Sequence, residues 1–196
     1  MNAFVFPGQG SQYLGMGADL YNSNRKAQKI FEDANEILGF KITDIMFGED
    51  QEALKQTNIT QPAIYIHSMV IALIADEFFK PSAVAGHSLG EFTALAAANY
   101  ISFEDGLRLV QKRAIAMQEA CEKNESSMAA IVGLDDNIVE GVCSQSKETL
   151  VAANYNCPGQ IVISGTINAV NIACNKLTKL GARRALVLPV RGAFHS

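Results

Sequence analysis

A serine set between two glycines, in Gly86-His87-Ser88-Leu89-Gly90, is the part of this sequence best suited to covalent chemistry. The preceding residues 82–85 are short and apolar and read as a strand, and the alanine-rich residues 91–98 read as a helix. A strand-to-helix turn of the pattern G-x-S-x-G has no room for a side chain at either glycine, and it presents the serine hydroxyl at its apex. The N–H groups that open the helix, that of Leu89 above all, lack an acceptor within the helix and can face a developing oxyanion. The pattern also arises by chance in a chain with 15 glycines, so the flanking strand and helix carry the argument.

A serine hydroxyl needs a base, and the chain offers His67, His87 and His195. His67 lies within the apolar run 63–79 and reads as a packing histidine. His87 adjoins the serine, but neighbours on a tight turn point in different directions. That suits His87 to supporting the turn more than to taking the proton. His195, in Arg191-Gly192-Ala193-Phe194-His195-Ser196, is either the base or part of a disordered tail, and the residues alone do not choose. Gly8-Gln9-Gly10-Ser11-Gln12 is a glycine-rich turn without the Lys-Ser/Thr ending of a phosphate loop. It is an ordinary connection, a second oxyanion donor or a substrate wall. Arg113, in Gln111-Lys112-Arg113-Ala114, is either a solvated helix arginine or a bidentate clamp for a carboxylate.

The elements that must position these residues follow from periodicity and breakers. Residues 3–6 read as a strand running into the first glycine-rich turn, and 24–38 as an amphipathic helix. Thr60 and Pro62 suit the first turn of an apolar helix extending to Phe79. Ser102 with Asp105 resembles a capping box opening a helix that ends near Cys121. After the polar segment 123–127, the best place for a domain junction, the pattern changes. Strands at 128–132, 150–154, 161–164 and 184–188 interleave with helices at 135–144 and 167–180. That order, β-α-β-β-α-β, is the signature of a ferredoxin-like split unit.

Composition narrows the function. Sixteen Lys and Arg against 20 Asp and Glu leave a net charge of −4, which argues against binding dominated by nucleic-acid phosphates. The four cysteines show no C-x-x-C spacing and only three histidines accompany them, so a zinc site is not expected. They read as reduced thiols in a cytoplasmic protein. No signal peptide or membrane span is expected, because residues 1–7 lack a basic start and the run 63–79 contains His67, Asp76 and Glu77.

Several motifs occur together and in order: Phe6-Pro7-Gly8-Gln9-Gly10-Ser11-Gln12, Gln61-Pro62-Ala63, and Gly86-His87-Ser88-Leu89-Gly90-Glu91. Arg113 ahead of Met117-Gln118 follows, then Asn154-Tyr155-Asn156-Cys157-Pro158-Gly159-Gln160 and Gly192-Ala193-Phe194-His195-Ser196. In this the chain resembles the malonyl-CoA:acyl-carrier-protein transacylases of fatty acid and polyketide synthesis. The resemblance implies Ser88 as the acylated nucleophile, His195 as general base and acid, and Gln9 and Leu89 as the two oxyanion N–H donors. It also implies Arg113 as the holder of the malonate carboxylate and His87 as a neighbour shaping the pocket. Ala193-Phe194-His195 looks like the malonyl-selective form of its loop, and Ala114 stands where the family commonly has glycine.

The implied fold is α/β: a large α/β-hydrolase-like domain with a parallel sheet and an inserted ferredoxin-like small domain. The expected boundaries are 1–126 for the large domain, 127–190 for the small one and 191–196 for a return segment carrying His195. Members of the family are longer, and the second unit closes so near Ser196 that the large domain is expected to be truncated at its C-terminus. No cofactor is expected. Acyl carrier protein and a coenzyme A thioester are the expected partners of a monomer, with Lys179, Arg183, Arg184 and Arg191 as candidates for a basic docking face. Two other readings stay open: a serine thioesterase or hydrolase, and an inactive fragment that binds carrier protein.

Overall fold

Two parallel strands begin the architecture. β1 (Ala3–Phe6) pairs with β2 (Ala83–Gly86) in the register Ala3↔Ala83 to Phe6↔Gly86. The computed structural model describes residues 1–123, 125–190 and 192–196. They form two compact units, Met1–Ala116 and Met117–Ser196. In the first, the long crossover that parallel strands require is helical: α1 (Ala18–Ser23), α2 (Arg25–Leu38), α3 (Ile42–Phe47), α4 (Gln51–Lys55), α5 (Thr57–Ile74) and a 3-10 turn at Asp76–Phe78. After β2 come α6 (Gly90–Ala97) and α7 (Phe103–Lys123), and the division between units falls within α7.

α2 matches its sequence pattern. The Asn24 side chain accepts from the N–H groups of Lys26 and Ala27, Gly39 closes the helix at φ 78°, and Ala27, Phe31, Ala34 and Leu38 face the core. α5 departs from expectation. It begins at Thr57 and ends at Ile74, which leaves Pro62 inside the helix instead of in its first turn. Pro62 forfeits the bond its N–H would make to the carbonyl four residues back. The surrounding core offsets that loss: Ile59, Ala63, Ile64, Tyr65, Ile66, Met69 and Val70 are all buried. Short α1, α3 and α4 escape the sequence pattern because five or six residues show no helical period.

α7 opens as the sequence suggests, with Ser102 Oγ accepting from the Asp105 N–H and donating to the Asp105 carboxylate. It lies close on α5. A Cβ at Gly106 would come 2.1 Å from the Tyr65 hydroxyl, and that hydroxyl donates to the Phe103 carbonyl at 3.0 Å. Glycine is what permits this approach.

In the second unit β3 (Ser126–Val132), α8 (Asp136–Ser144), β4 (Leu150–Cys157), β5 (Gln160–Thr166), α9 (Ile167–Lys179) and β6 (Arg184–Val187) follow the β-α-β-β-α-β order. The sheet order is β4-β5-β3-β6, antiparallel throughout. Ala129 and Ile131 of β3 and Ile161 and Ile163 of β5 pack on Val139 and Val142 of α8 and Val170 and Leu177 of α9. β4 runs past residue 154, where its apolar pattern stops, because pairing with β5 carries it to Cys157 across two irregularities of register. The fold is mixed α/β, with one parallel and one antiparallel sheet.

Candidate active site

The segment between β2 and α6 has the geometry of a nucleophile turn. A Cβ on Gly86 would lie 1.9 Å from the Gly90 carbonyl carbon, and one on Gly90 would lie 2.3 Å from the Phe6 carbonyl oxygen. Neither position admits another residue. Ser88 itself adopts φ 54°, a left-handed conformation for a residue with a side chain. Such a residue costs about 1–2 kcal/mol, which the surrounding bonds must offset. The His87 N–H donates to the Phe6 carbonyl at 3.0 Å, and the Gly90 and Glu91 N–H groups donate to the carbonyls of His87 and Ser88. Leu89, buried at the N-terminus of α6, holds its N–H where the helix supplies no acceptor.

The glycine-rich turn after β1 abuts this serine turn. A Cβ on Gly8 would come 2.6 Å from His87 Nδ1 and 2.7 Å from its carbonyl oxygen. Within the loop Ser11 Oγ donates to the Gly8 carbonyl, and the Gly10 N–H donates to Gln12 Oε1. Gln9 is half-buried. His87 is exposed at the junction of the two turns.

Arg113 reaches the same place from α7. Its Nη2 donates to Ser88 Oγ at 2.7 Å, its Nη1 donates to Gln61 Oε1 at 2.6 Å, and its Cζ lies 6.0 Å from the centre of the Phe92 ring. It is not the solvated arginine that its sequence allows. Burial destabilises its charge and lowers its pKa, and Glu91 partly counters that. Gln61, only 1% exposed on α5, also donates from Nε2 to Gln9 Oε1 at 3.3 Å. Sequence reasoning gave Gln61 and Phe92 no role. The signals for Gln61 were its place in the Gln61-Pro62-Ala63 motif and an amide at the start of the apolar stretch of α5.

His67 is the packing histidine its position suggests. Its ring stands edge-on to Tyr13, with Nε2 3.5 Å from the Tyr13 hydroxyl, and burial lowers its pKa. The first unit thus brings Ser88, Leu89, His87, Gln9 and Arg113 together. His195 belongs to the second unit, and it is not in a loose tail. The Ala193 N–H donates to Ser126 Oγ, Ser196 Oγ donates to the Ala193 carbonyl, and His195 adopts φ 62°. Gly192 lies so close to Cys121 that a Cβ there would meet its sulfur at 2.3 Å. Burial raises the Cys121 thiol pKa, which argues against a reactive thiolate. Lys179, Arg183 and Arg184 are exposed, and Arg191 lies outside the described residues. Among the described residues no helix is long and apolar enough to cross a membrane.

A mixed α/β fold, a serine at positive φ on a strand-to-helix turn and a guanidinium against its hydroxyl make up the candidate site. Residues 3–196 match the acyl transferase domain family, and the chain belongs to it. Among curated relatives it is 43% identical over 198 residues to the malonyl CoA-acyl carrier protein transacylase of Bacillus subtilis (strain 168), covering 99% of this chain and 62% of that protein. It is 42% identical over 197 residues to the enzyme of the same name from Staphylococcus aureus (strain MRSA252), covering 99% of this chain and 64% of the other. The acyl-carrier-protein S-malonyltransferase of Bartonella henselae superposes with a TM-score of 0.94 at 42% identity, over 100% of this chain and 65% of its own. A malonyl-transacylase in complex with its type II PKS acyl-carrier protein gives a TM-score of 0.92 at 38% identity, over 97% of this chain and 63% of the other. The chain therefore spans just under two thirds of the length of these relatives.

Proposed function

We propose that this chain carries the malonyl-transferring site of a malonyl-CoA:acyl-carrier-protein transacylase serving fatty acid synthesis. One observation carries the reading: the half-buried Arg113 guanidinium hydrogen-bonds the hydroxyl of Ser88. A cation against the nucleophile suits an acyl group that ends in a carboxylate, and a charge-assisted fork is the strongest neutral-pH recognition of that group.

In the proposed reaction His195 takes the Ser88 proton as Oγ bonds the thioester carbon. The oxyanion rests on the Gln9 and Leu89 N–H groups. The carbon–sulfur bond then breaks, His195 returns the proton to the departing coenzyme A sulfur, and malonyl remains on Ser88. The phosphopantetheine thiol of the carrier protein repeats the sequence in reverse, with His195 as its base. Arg113 holds the carboxylate, and His87 supports the pocket. The bonds and protons balance with serine, histidine, thioester and thiol alone, so the reading includes no cofactor.

We take residues 1–126 as the large domain, 127–190 as the small one and 191–196 as the segment bringing His195 to Ser88. The reaction belongs in the cytoplasm, where the thiols stay reduced. The test follows malonyl-CoA in the presence of phosphopantetheinylated carrier protein and measures both malonyl-carrier thioester and free malonate. The thioester is expected to dominate. Release of malonate alone would make the site a hydrolase.

A further inference from the structure

We infer that Gln61 is a positioning residue for the carboxylate clamp, holding the Arg113 guanidinium in place and tying it to the Gln9 loop. The inference rests on the reading of Arg113 just given. Gln61 is 1% exposed among the apolar side chains of α5, where a side-chain amide must find partners. Its polarity follows from them. Arginine offers only donors, so the amide must turn Oε1 towards Arg113 Nη1, which it meets at 2.6 Å. Its NH2 end then faces an acceptor, Gln9 Oε1, at 3.3 Å.

The guanidinium is thereby held at Nη1 by Gln61 and at Nη2 by Ser88, with Phe92 near its face. Gln61 and Ser88 engage two of the five N–H donors and leave three for a substrate. The residue type matters. Leucine would fill the space but supply no acceptor. Glutamate would supply the acceptor but neutralise the clamp and compete with the incoming carboxylate. Glutamine orders the arginine without cancelling its charge.

The experiment compares the chain with its Gln61→Leu and Gln61→Glu variants by two readouts. The first is loading of malonyl-CoA and acetyl-CoA onto Ser88, followed by intact mass against substrate concentration. Gln61→Leu is expected to raise the half-saturating malonyl-CoA concentration about tenfold, the cost of one charge-assisted bond, and to impair acetyl loading less. Gln61→Glu is expected to lose malonyl preference at least as far. Equal losses for both acyl groups, or full malonyl preference in Gln61→Glu, would overturn the inference. The second readout is the Arg113 guanidinium NMR signal in the unliganded chain, which does not depend on activity. Resolved, slowly exchanging Nη protons are expected in the parent, collapsed ones in Gln61→Leu and resolved ones again in Gln61→Glu. The same signal in the parent and Gln61→Leu would refute positioning. A parent chain that takes no malonyl would strike the transfer reading, and the NMR pattern would still decide the role of Gln61.

Discussion

Ser88 and Arg113 sit 25 positions apart in sequence and share one hydrogen bond of 2.7 Å. If that guanidinium recognises the carboxylate of the acyl group, its removal must separate malonyl from acetyl substrates. Arg113→Ala is expected to lower malonyl loading by about tenfold to a hundredfold, the range for lost bonds to a charged group, and to leave acetyl loading within a few-fold. Comparing the two loading rates checks this, and equal losses would refute the clamp. Ser88 was legible because the turn needs glycines at fixed offsets, and the structure gives that need as contacts below 2.5 Å for Gly86 and Gly90. From the helix pattern alone Arg113 was a choice between surface and site, since periodicity does not say which neighbour a long side chain meets, and only the family resemblance assigned it to the site. Gln61 was not legible as a functional residue. Its bonds join α5 to a loop 52 residues before it and a helix 52 residues after it, and no local pattern encodes such a pairing.

The elements hold these residues through close approaches more than through polar networks. α7 can bring Arg113 to the site because Gly106 leaves room for Tyr65. Gly106→Ala is expected to destabilise the first unit by about 1–3 kcal/mol, the usual cost of overpacking, measured as a lower denaturant midpoint. An unchanged midpoint would show that Tyr65 moves aside freely. α5 also links stability to pH through His67, whose burial holds its pKa below the ordinary histidine value. The unfolded chain therefore takes up this proton first. Stability is full above about pH 6.5 and falls as the pH drops from there towards the depressed folded value. His67→Gln should flatten that part of the curve of midpoint against pH, and an unaltered slope would assign the dependence to other groups. The α5 start at Thr57 shows where element reading stops. Proline favours a first turn locally, but an extensive apolar face can extend a helix ahead of it.

On the scale of the whole molecule, the sequence showed the second unit better than the first. Its strands and helices alternate on clear periods, and β4-β5-β3-β6 follows from pairing those segments. The first unit has two strands and many short helices, and α1, α3 and α4 carry too few residues for a period. If the exposed Arg183 and Arg184 receive an acidic carrier protein, reversing both charges should raise the carrier KM about tenfold, as lost electrostatic steering does. The malonyl-CoA KM should stay as it was, and an unchanged carrier KM would remove both residues from the docking face. Acyl transfer at this site turns on the fate of one hydroxyl. Mass spectrometry of this 196-residue chain after brief exposure to malonyl-CoA should show a single malonyl group, mapped to the peptide holding Ser88 and absent from Ser88→Ala. No adduct on the parent, or an adduct that survives in Ser88→Ala, would contradict it.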